Sequence, residues 1–549
     1  MRTMIIAALT ALTASTAHAD TLVTNVNGIQ IGANGEIQHF AGLVIGADGK
    51  VRQLLEHPEL VRLAGITRQV DGQGRTLLPG LIDSHGHVTD LGFAAMHLDL
   101  TGTRSLAELQ QRLRDYAVSH PGVKWIRGSG WNQELWPQKN FPTAADLDAV
   151  VPGRPVVLDR VDGHALVANG AAMRAANVSN TTPAPAGGRI DHGLFVDNAM
   201  DLIGKVLPPA TPAELDQALA KSQDILLGYG VTAVGSMSTS TGDWQAFRRA
   251  GEAGTLNVRL ITYLSAARDL AVKAPTPWLF GDRLRVVGIK LFADGALGSR
   301  GAWLKAPYAD KPDTRGLQFN SDAELLQLAD AAAAAGFQVA THAIGDAANA
   351  QVLTTYEQLS RKYGRDRRWR IEHFQIVDPI DIPRLAPAGV IASMQPTHQT
   401  SDRLMAEARL GPDRLGGAYA WQAVLKSGAR LAFGSDFPVE SPNPFPGLAA
   451  GISRQDITGQ PPGGWIPAER LTFAQALNAF TRGGAYAGFA EDRIGALEPG
   501  KWADFIIVDR DPTKVDALAL GQTQVLETWL AGKPVWRRAV SASPVERGK

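Results

Sequence analysis

The stretch that decides the fold is Leu78-Pro79-Gly80-Leu81-Ile82-Asp83-Ser84-His85-Gly86-His87. An apolar run typical of a buried strand ends there in two histidines one residue apart. Residues i and i+2 of an extended chain lie on the same side, so both imidazoles can point at one metal ion. The intervening glycine lets the backbone approach closely. The stretch therefore indicates a metal site at the end of a strand.

Four further apolar runs each end in a residue type that binds metals. They cover residues 286–290, 338–342, 370–373 and 431–436. In a (β/α)8 barrel, catalytic groups lie at the carboxyl ends of several strands. Strand-like runs alternate with helical patterns between these points, which favours βα units. The series predicts an α/β fold, a TIM-like (β/α)8 barrel with a metal-dependent hydrolase site at its mouth.

The candidate metal ligands are the side chains that close these runs. Imidazoles and carboxylates suit a divalent ion such as Zn²⁺ without sulfur ligands, and the chain has no cysteine. We expect one or two ions per chain. The candidates are His85, His87, Lys290, His342, His373 and Asp436.

Lys290 lies in a run that reads as a buried strand, where a bare ammonium would be costly. Three interpretations stay open: an ion pair with Asp294, a side chain reaching the surface, or a carboxylated lysine bridging two metals. The last is favoured, because carboxylation turns a buried cation into an anionic oxygen ligand.

Asp436 has a second predicted role. A metal lowers the pKa of its bound water to roughly 7. A nearby carboxylate then accepts the proton and delivers it to the leaving amine. Asp436 is the candidate general base and acid, and a loop-capping carboxylate is the structural alternative.

Other side chains are predicted to contact the substrate or to orient the ligands. His164 and His398 would polarise a carbonyl or bind the substrate, with a structural role as the alternative. Asp346 and Glu372 are predicted to orient histidines, although alternation should turn Glu372 away from the side of His373. The predicted substrate contacts are Trp131, Asn132, Asp294 and Arg300.

Composition bounds the partners. The 549 residues include 54 acidic and 54 basic side chains, and no long charge run points to nucleic acid or an anionic membrane surface. A small-molecule substrate fits this balance, and the chain is compatible with a homodimer. Residues 1–19 read as a signal peptide with Arg2, an apolar stretch and an Ala17-His18-Ala19 cleavage site. We expect a bacterial periplasmic or secreted protein without a membrane anchor.

Domain organisation follows from recurring textures. Residues 20–75 and 489–549 show short strand patterns with Gly-rich turns, and together they could form one β-sandwich. Residues 76–488 would form the barrel, with an insertion at about 105–209 packed over its mouth. Predicted helices include 322–335, with Ser321 as N-cap, and 471–480, opened by Thr472 or Pro467.

At these motifs the chain resembles the amidohydrolase superfamily, in particular the amidohydrolase 3 branch that includes N-substituted formamide deformylase-like enzymes. The resemblance implies a (β/α)8 barrel, a β-sandwich built from both termini, and a one- or two-metal hydrolytic centre. It places the six candidate ligands in the metal and proton-transfer positions, and makes the insertion a feature of the branch. The segments that carry it are 78–87, 289–300, 341–346, 371–375, 433–438 and 495–504.

The leading functional hypothesis is hydrolysis of a non-peptide C–N bond in a linear or N-substituted amide. A cyclic amide, an ester or a lactone is the close alternative, because the same attacking hydroxide serves all of them. A non-catalytic ligand-binding or regulatory relative is the second class, and metal storage is a weaker third. A decayed site would usually lack one ligand, and none is lacking here.

Overall fold

The computed structural model describes residues 20–57, 65–265 and 272–539. The predicted signal peptide and the last ten residues of the second sandwich segment lie outside these ranges. Among the helices in these ranges, none has the length and apolar character needed to cross a membrane.

The strands of the described ranges fall into four sheets. In chain order they are β1 (Asp20–Thr24), β2 (Asn27–Ile31), β3 (Ile37–Phe40), β4 (Gly42–Ile45), β5 (Val51–Leu55), β6 (Ile66–Asp71), β7 (Thr76–Pro79), β8 (Leu81–Gly86), β9 (Leu98–Asp99), β10 (Ile126–Trp131), β11 (Val156–Arg160), β12 (Ala165–Ala168), β13 (Gly188–Asp191), β14 (Leu194–Asp197), β15 (Val231–Thr239), β16 (Arg259–Ser265), β17 (Leu284–Phe292), β18 (Gln338–Ala343), β19 (Arg370–His373), β20 (Ile391–Met394), β21 (Arg430–Phe433), β22 (Phe505–Val508), β23 (Val525–Leu530) and β24 (Lys533–Arg537).

The α-helices of the described ranges mostly alternate with the barrel strands. They are α1 (Val88–Met96), α2 (Leu106–Ser119), α3 (Ala144–Asp148), α4 (Gly170–Ala175), α5 (Asp201–Gly204), α6 (Pro212–Gly228), α7 (Thr241–Glu252), α8 (Asp322–Ala334), α9 (Asp346–Tyr363), α10 (Leu385–Ala388), α11 (Pro396–Leu410), α12 (Trp421–Lys426), α13 (Pro444–Ser453), α14 (Phe473–Ala479), α15 (Arg482–Ala487) and α16 (Ala517–Gly521).

Eight parallel strands form the predicted barrel, in the order β8-β15-β16-β17-β18-β19-β20-β21. Backbone bonds from Asp436 N to His85 O and from His87 N to Phe437 O, each 2.8 Å, join the segment after β21 to β8 and close the ring. Ile82, Ile261, Val287 and Ala340 fill the interior near the amino ends of the strands. Polar side chains are thereby left at the carboxyl ends, where such barrels carry their sites.

The two chain ends share a β-sandwich beside the barrel. One sheet has the order β5-β4-β1-β6, and the other, β24-β23-β22-β7-β2-β3, mixes amino-terminal and carboxy-terminal strands. Leu43, Leu77, Phe505 and Trp529 pack together in the core of this sandwich. The β7 strand belongs to this sheet, so the barrel begins at Leu81 rather than at residue 76. The run that the sequence presents as one strand is divided at Gly80 between two sheets.

The insertion forms its own six-stranded sheet, in the order β13-β14-β12-β11-β10-β9. It begins at β9 rather than at about residue 105, because Leu98 and Asp99 pair with β10. Arg409 of the barrel helix α11 joins the insertion to the loop between β17 and α8, with Nη2 2.7 Å from Glu134 Oε1 of the insertion and Nη1 2.5 Å from Asp310 Oδ2 of that loop.

The N-caps of two helices can be compared with those predicted from sequence. Ser321 is the N-cap of α8, as predicted, and it forms a capping box with Glu324. For the second, Thr472 rather than Pro467 is the N-cap of α14, and Pro467 opens a separate short turn.

Candidate metal centre

The candidate ligands lie at the carboxyl ends of five different barrel strands. His85 is in β8 and His87 follows it, Lys290 is near the end of β17, and His342 is near the end of β18. His373 is the last residue of β19, and Asp436 follows β21 in a backbone conformation with φ 61°. The strand ends therefore bring to one place side chains that are far apart in sequence.

Asp436 lies at the middle of the cluster. Its Oδ1 is 3.2 Å from His85 Nε2 and 3.1 Å from His87 Nε2, yet it accepts no well-oriented hydrogen bond from either ring. The ligand atoms of His85, His373 and Asp436 lie within 4.8 Å of one another, and all three side chains are buried. Close approach without hydrogen bonding is what donor atoms aimed at a common ion would show.

The protonation states also suit a metal. Burial, reinforced by neighbouring His164, lowers the pKa of His342 well below its ordinary value. Burial and His342 do the same to the pKa of His373. Burial acts to raise the pKa of Asp436, but His85 and the other imidazoles outweigh it and hold that pKa well below its usual range. Neutral imidazoles and an ionised carboxylate are the forms that bind metals.

A buried chain of partners fixes the ring of His85. His85 Nδ1 donates to Glu372 Oε2 over 2.6 Å, and Arg370 holds the same carboxylate through Nε and Nη2 at 2.7 and 3.0 Å. The bond at Nδ1 leaves Nε2 for the metal, which is the usual orienting arrangement. Our expectation that Glu372 turns away from the side of His373 was wrong. His373 (φ 74°) and Phe374 (φ 44°) break the alternation, so both neighbouring side chains reach the centre.

His373 has a partner that the sequence did not reveal. Its Nδ1 lies 3.0 Å from Gln395 Oε1, immediately before α11. The prediction that Asp346 orients a histidine was wrong. Asp346 is the first residue of α9, and its Oδ1 accepts a hydrogen bond from the backbone N–H of Lys305.

Lys290 is buried, with Nζ 3.5 Å from His85 Nε2. Burial lowers its pKa to about 8, although Glu372 and Asp436 act in the opposite direction. The surface interpretation is therefore wrong. The ion pair with Asp294 is wrong as well, because the contacts of that carboxylate are the backbone N–H groups of Trp303, Ile344 and Gly345 and, at 3.5 Å, Nε2 of His342. An ammonium beside Nε2 of His85 would oppose the binding of a metal ion at that nitrogen, so carboxylation is the interpretation that remains.

Two further histidines border the cluster. His164, from the insertion, has its ring centroid 5.0 Å from that of His342, and its Nδ1 lies 2.7 Å from Asp197 Oδ1. His398, in the first turn of α11, stacks on His373 and has Nε2 3.8 Å from Asp436 Oδ2. Both rings stand where they could meet a substrate.

The predicted substrate contacts fare unevenly. Trp131 is fully buried in the insertion core, where its indole N–H donates to Leu158 O, so its assignment to the pocket was wrong. Asp294 is also fully buried and bound to the backbone N–H groups of Trp303, Ile344 and Gly345. It holds loops together rather than facing a substrate.

Asn132 and Arg300 remain predictions. Asn132 Oδ1 accepts from Glu134 N and Arg160 Nη2. Arg300 forms an ion pair with Asp310, with Nη2 2.8 Å from Oδ2.

Comparison with known proteins indicates one family for this chain. The model of the amidohydrolase family matches residues 68–536. The protein LONG AFTER FAR-RED 3 of Arabidopsis thaliana is 33% identical, covering 94% of this chain and 92% of its own. N-substituted formamide deformylase of Arthrobacter pascens is 26% identical, covering 93% and 97%. A solved metal-dependent hydrolase from Pyrococcus horikoshii OT3, itself uncharacterized, aligns with a TM-score of 0.74 at 28% identity, covering 91% and 99%.

Proposed function

This chain belongs to the amidohydrolase family, and from that premise we propose that it hydrolyses the amide C–N bond of a small N-substituted molecule. Family membership and the structural likeness to a metal-dependent hydrolase make it a metal-dependent hydrolase. The observation that carries the finer proposal is the position of Asp436, whose carboxylate touches His85 and His87 and faces His398. One carboxylate can there serve both a metal and a proton transfer.

The donor set fits a divalent ion, with Zn²⁺ as the proposed metal. A bound ion supplies a Lewis acid and makes a water molecule acidic enough to lose a proton near neutral pH. Four imidazoles, one carboxylate and one modified lysine would hold one or two ions. The residues are His85, His87, Lys290, His342, His373 and Asp436.

We propose that Lys290 is carboxylated. Its neutral amine would add to the carbon of carbon dioxide and lose one proton, giving an N-carboxylate with two ligand oxygens. Burial favours the neutral amine over the ammonium. Carboxylation would also replace the positive charge beside Nε2 of His85 with oxygen atoms that can bind the same metal ion as that nitrogen.

The side chains divide the reaction between them. Asp436 would take a proton from the attacking water as the new C–O bond forms at the carbonyl carbon. His164 or His398 would donate a hydrogen bond to the carbonyl oxygen as negative charge develops there. Breakage of the C–N bond then needs a proton on the leaving nitrogen, which Asp436 would return. The products are an amine and a carboxylic acid.

The choice of an N-substituted amide rests on likeness. One relative is named for deformylation of N-substituted formamides, and it is similar to this chain over nearly its whole length.

The signal-like residues 1–19 support an exported enzyme.

The test is a substrate panel on protein purified without chelators in bicarbonate buffer, with metal content measured by elemental analysis. The panel contains formanilide, 4-nitroacetanilide, a cyclic amide, an aryl ester and a lactone. We expect formanilide to yield aniline and formate, and Asp436→Asn to abolish most of that turnover. Turnover restricted to the cyclic amide, the ester or the lactone would overturn the N-substituted amide. A metal-loaded protein that turns over none of them would favour a binding protein.

A further inference from the structure

His164 reaches the metal centre from the insertion, and one carboxylate fixes its ring. Its Nδ1 lies 2.7 Å from Oδ1 of Asp197, whose side chain is completely buried. The backbone N–H of Asp197 donates to His164 O over 3.0 Å, which extends the antiparallel pairing of Ala165 with Val196. The register of β12 and β14 therefore sets the two side chains against each other.

The carboxylate of Asp197 is seated on the barrel loop that follows β17. A Cβ atom at Gly295 or Gly301 would come within 2.6 or 2.5 Å of it, so neither glycine can be replaced without movement. Through Asp197, His164 of the insertion is therefore held against the loop that follows β17, the strand that contains Lys290.

This arrangement is costly to maintain. Asp197 has φ 49° and ψ −125°, a conformation that a residue with a Cβ rarely adopts. Its Oδ2 is buried and accepts no hydrogen bond from the residues that the structure describes. A strained residue with a half-paired buried carboxylate is expected where it performs a function.

We infer that Asp197 is a positioning residue that acts through His164. Because Asp197 accepts a hydrogen bond from the Nδ1–H group of His164, the imidazole presents Nε2 to the substrate, beside His342. This inference rests on the proposed function, since it assigns His164 rather than His398 to the carbonyl oxygen. The barrel would then supply the hydrolytic groups, and the insertion would supply the group that binds the developing oxyanion.

The test compares Asp197→Ala, Asp197→Asn, His164→Gln and the double variant Asp197→Ala/His164→Gln on formanilide. The matched control is Asp191→Asn, because Asp191 faces His192 in the same sheet at 3.7 Å with both side chains largely exposed. We expect Asp197→Ala and His164→Gln each to lower kcat by roughly 10²–10³-fold, with KM, metal content and thermal midpoint near wild type. The double variant should lose no more than His164→Gln alone, because the two residues act as one unit.

Multiplying losses in the double variant, or full kcat in both Asp197 variants, would overturn the inference. A second readout needs no turnover: the hydrogen-bonded Nδ1 proton, observed by proton NMR with ¹⁵N-labelled histidine. We expect its downfield resonance in the wild type and in Asp191→Asn, and its loss in Asp197→Ala and His164→Gln. If the wild type hydrolyses no probe, the proposed function fails, and this resonance alone decides the pairing; its absence from the wild type would overturn it.

Discussion

Replacement of Glu372 by glutamine should weaken both metal binding and the fold. Both carboxylate oxygens of Glu372 are used, by His85 on one side and by Arg370 on the other, and all three side chains are buried. Glutamine keeps the shape but loses the charge, and an amide N–H₂ must face either the guanidinium or the imidazole. Breaking a buried ion pair by changing one partner costs about 3–5 kcal/mol of stability. Loss of a partner that orients a metal-binding histidine lowers metal affinity by roughly 10–100-fold.

The assays are urea unfolding of metal-free protein and zinc titration against a chromogenic chelator. The matched control is Glu252→Gln, which removes the ion pair of Glu252 with Arg248 on α7, whose side chains are 56% and 50% exposed. A surface pair of that kind contributes about 0–1 kcal/mol. If Glu372→Gln matched Glu252→Gln in both assays, the reasoning about His85 would be refuted.

Substitutions at three other residues test the remaining assignments. Asp436→Asn should lower kcat by roughly 10²–10⁴-fold while elemental analysis still finds metal, and normal turnover would remove Asp436 from proton transfer. Lys290→Ala should lower metal content, and ¹³C NMR in labelled bicarbonate should show a carbamate carbon in the wild type that the variant lacks; its absence from both would contradict carboxylation. Trp131→Ala should cost about 3–5 kcal/mol in urea unfolding because it empties a core position, whereas Trp131→Phe should leave KM unchanged, and a raised KM in the Phe variant would restore Trp131 to the pocket.

The barrel, and the position of the candidate ligands at its strand ends, could be predicted from sequence because strand ends carry their own pattern. An apolar run followed by His, Lys or Asp marks a strand and its carboxyl end at once, as at His85 and His342. Such local signals need no knowledge of distant contacts.

What escaped prediction depended on backbone turns and register. Strand alternation misplaced Glu372 because the positive φ of His373 has no sequence signature. Asp197 was missed because its approach to His164 follows from the register of β12 against β14, two antiparallel strands that α4 and β13 separate along the chain. Residue types alone do not fix such a register. Trp131 was misassigned because the sequence does not distinguish a tryptophan that lines the opening of the barrel from one that packs in the core of the insertion. The division at Gly80 was hidden because one apolar run serves two sheets.

The pairing of β7 with β22 joins strands from opposite ends of the chain. Until residues 505–508 have been synthesised, β7 has an unpaired edge on the side that β22 will occupy, and such edges invite association between chains. Closing so long a loop is entropically slow, so this sheet should form late in folding. The run that begins in β7 continues into β8, which carries His85. Assembly of the strand that carries His85 is thereby tied to synthesis of residues 505–508, and we expect a chain terminated before them to be degraded rather than to fold in part.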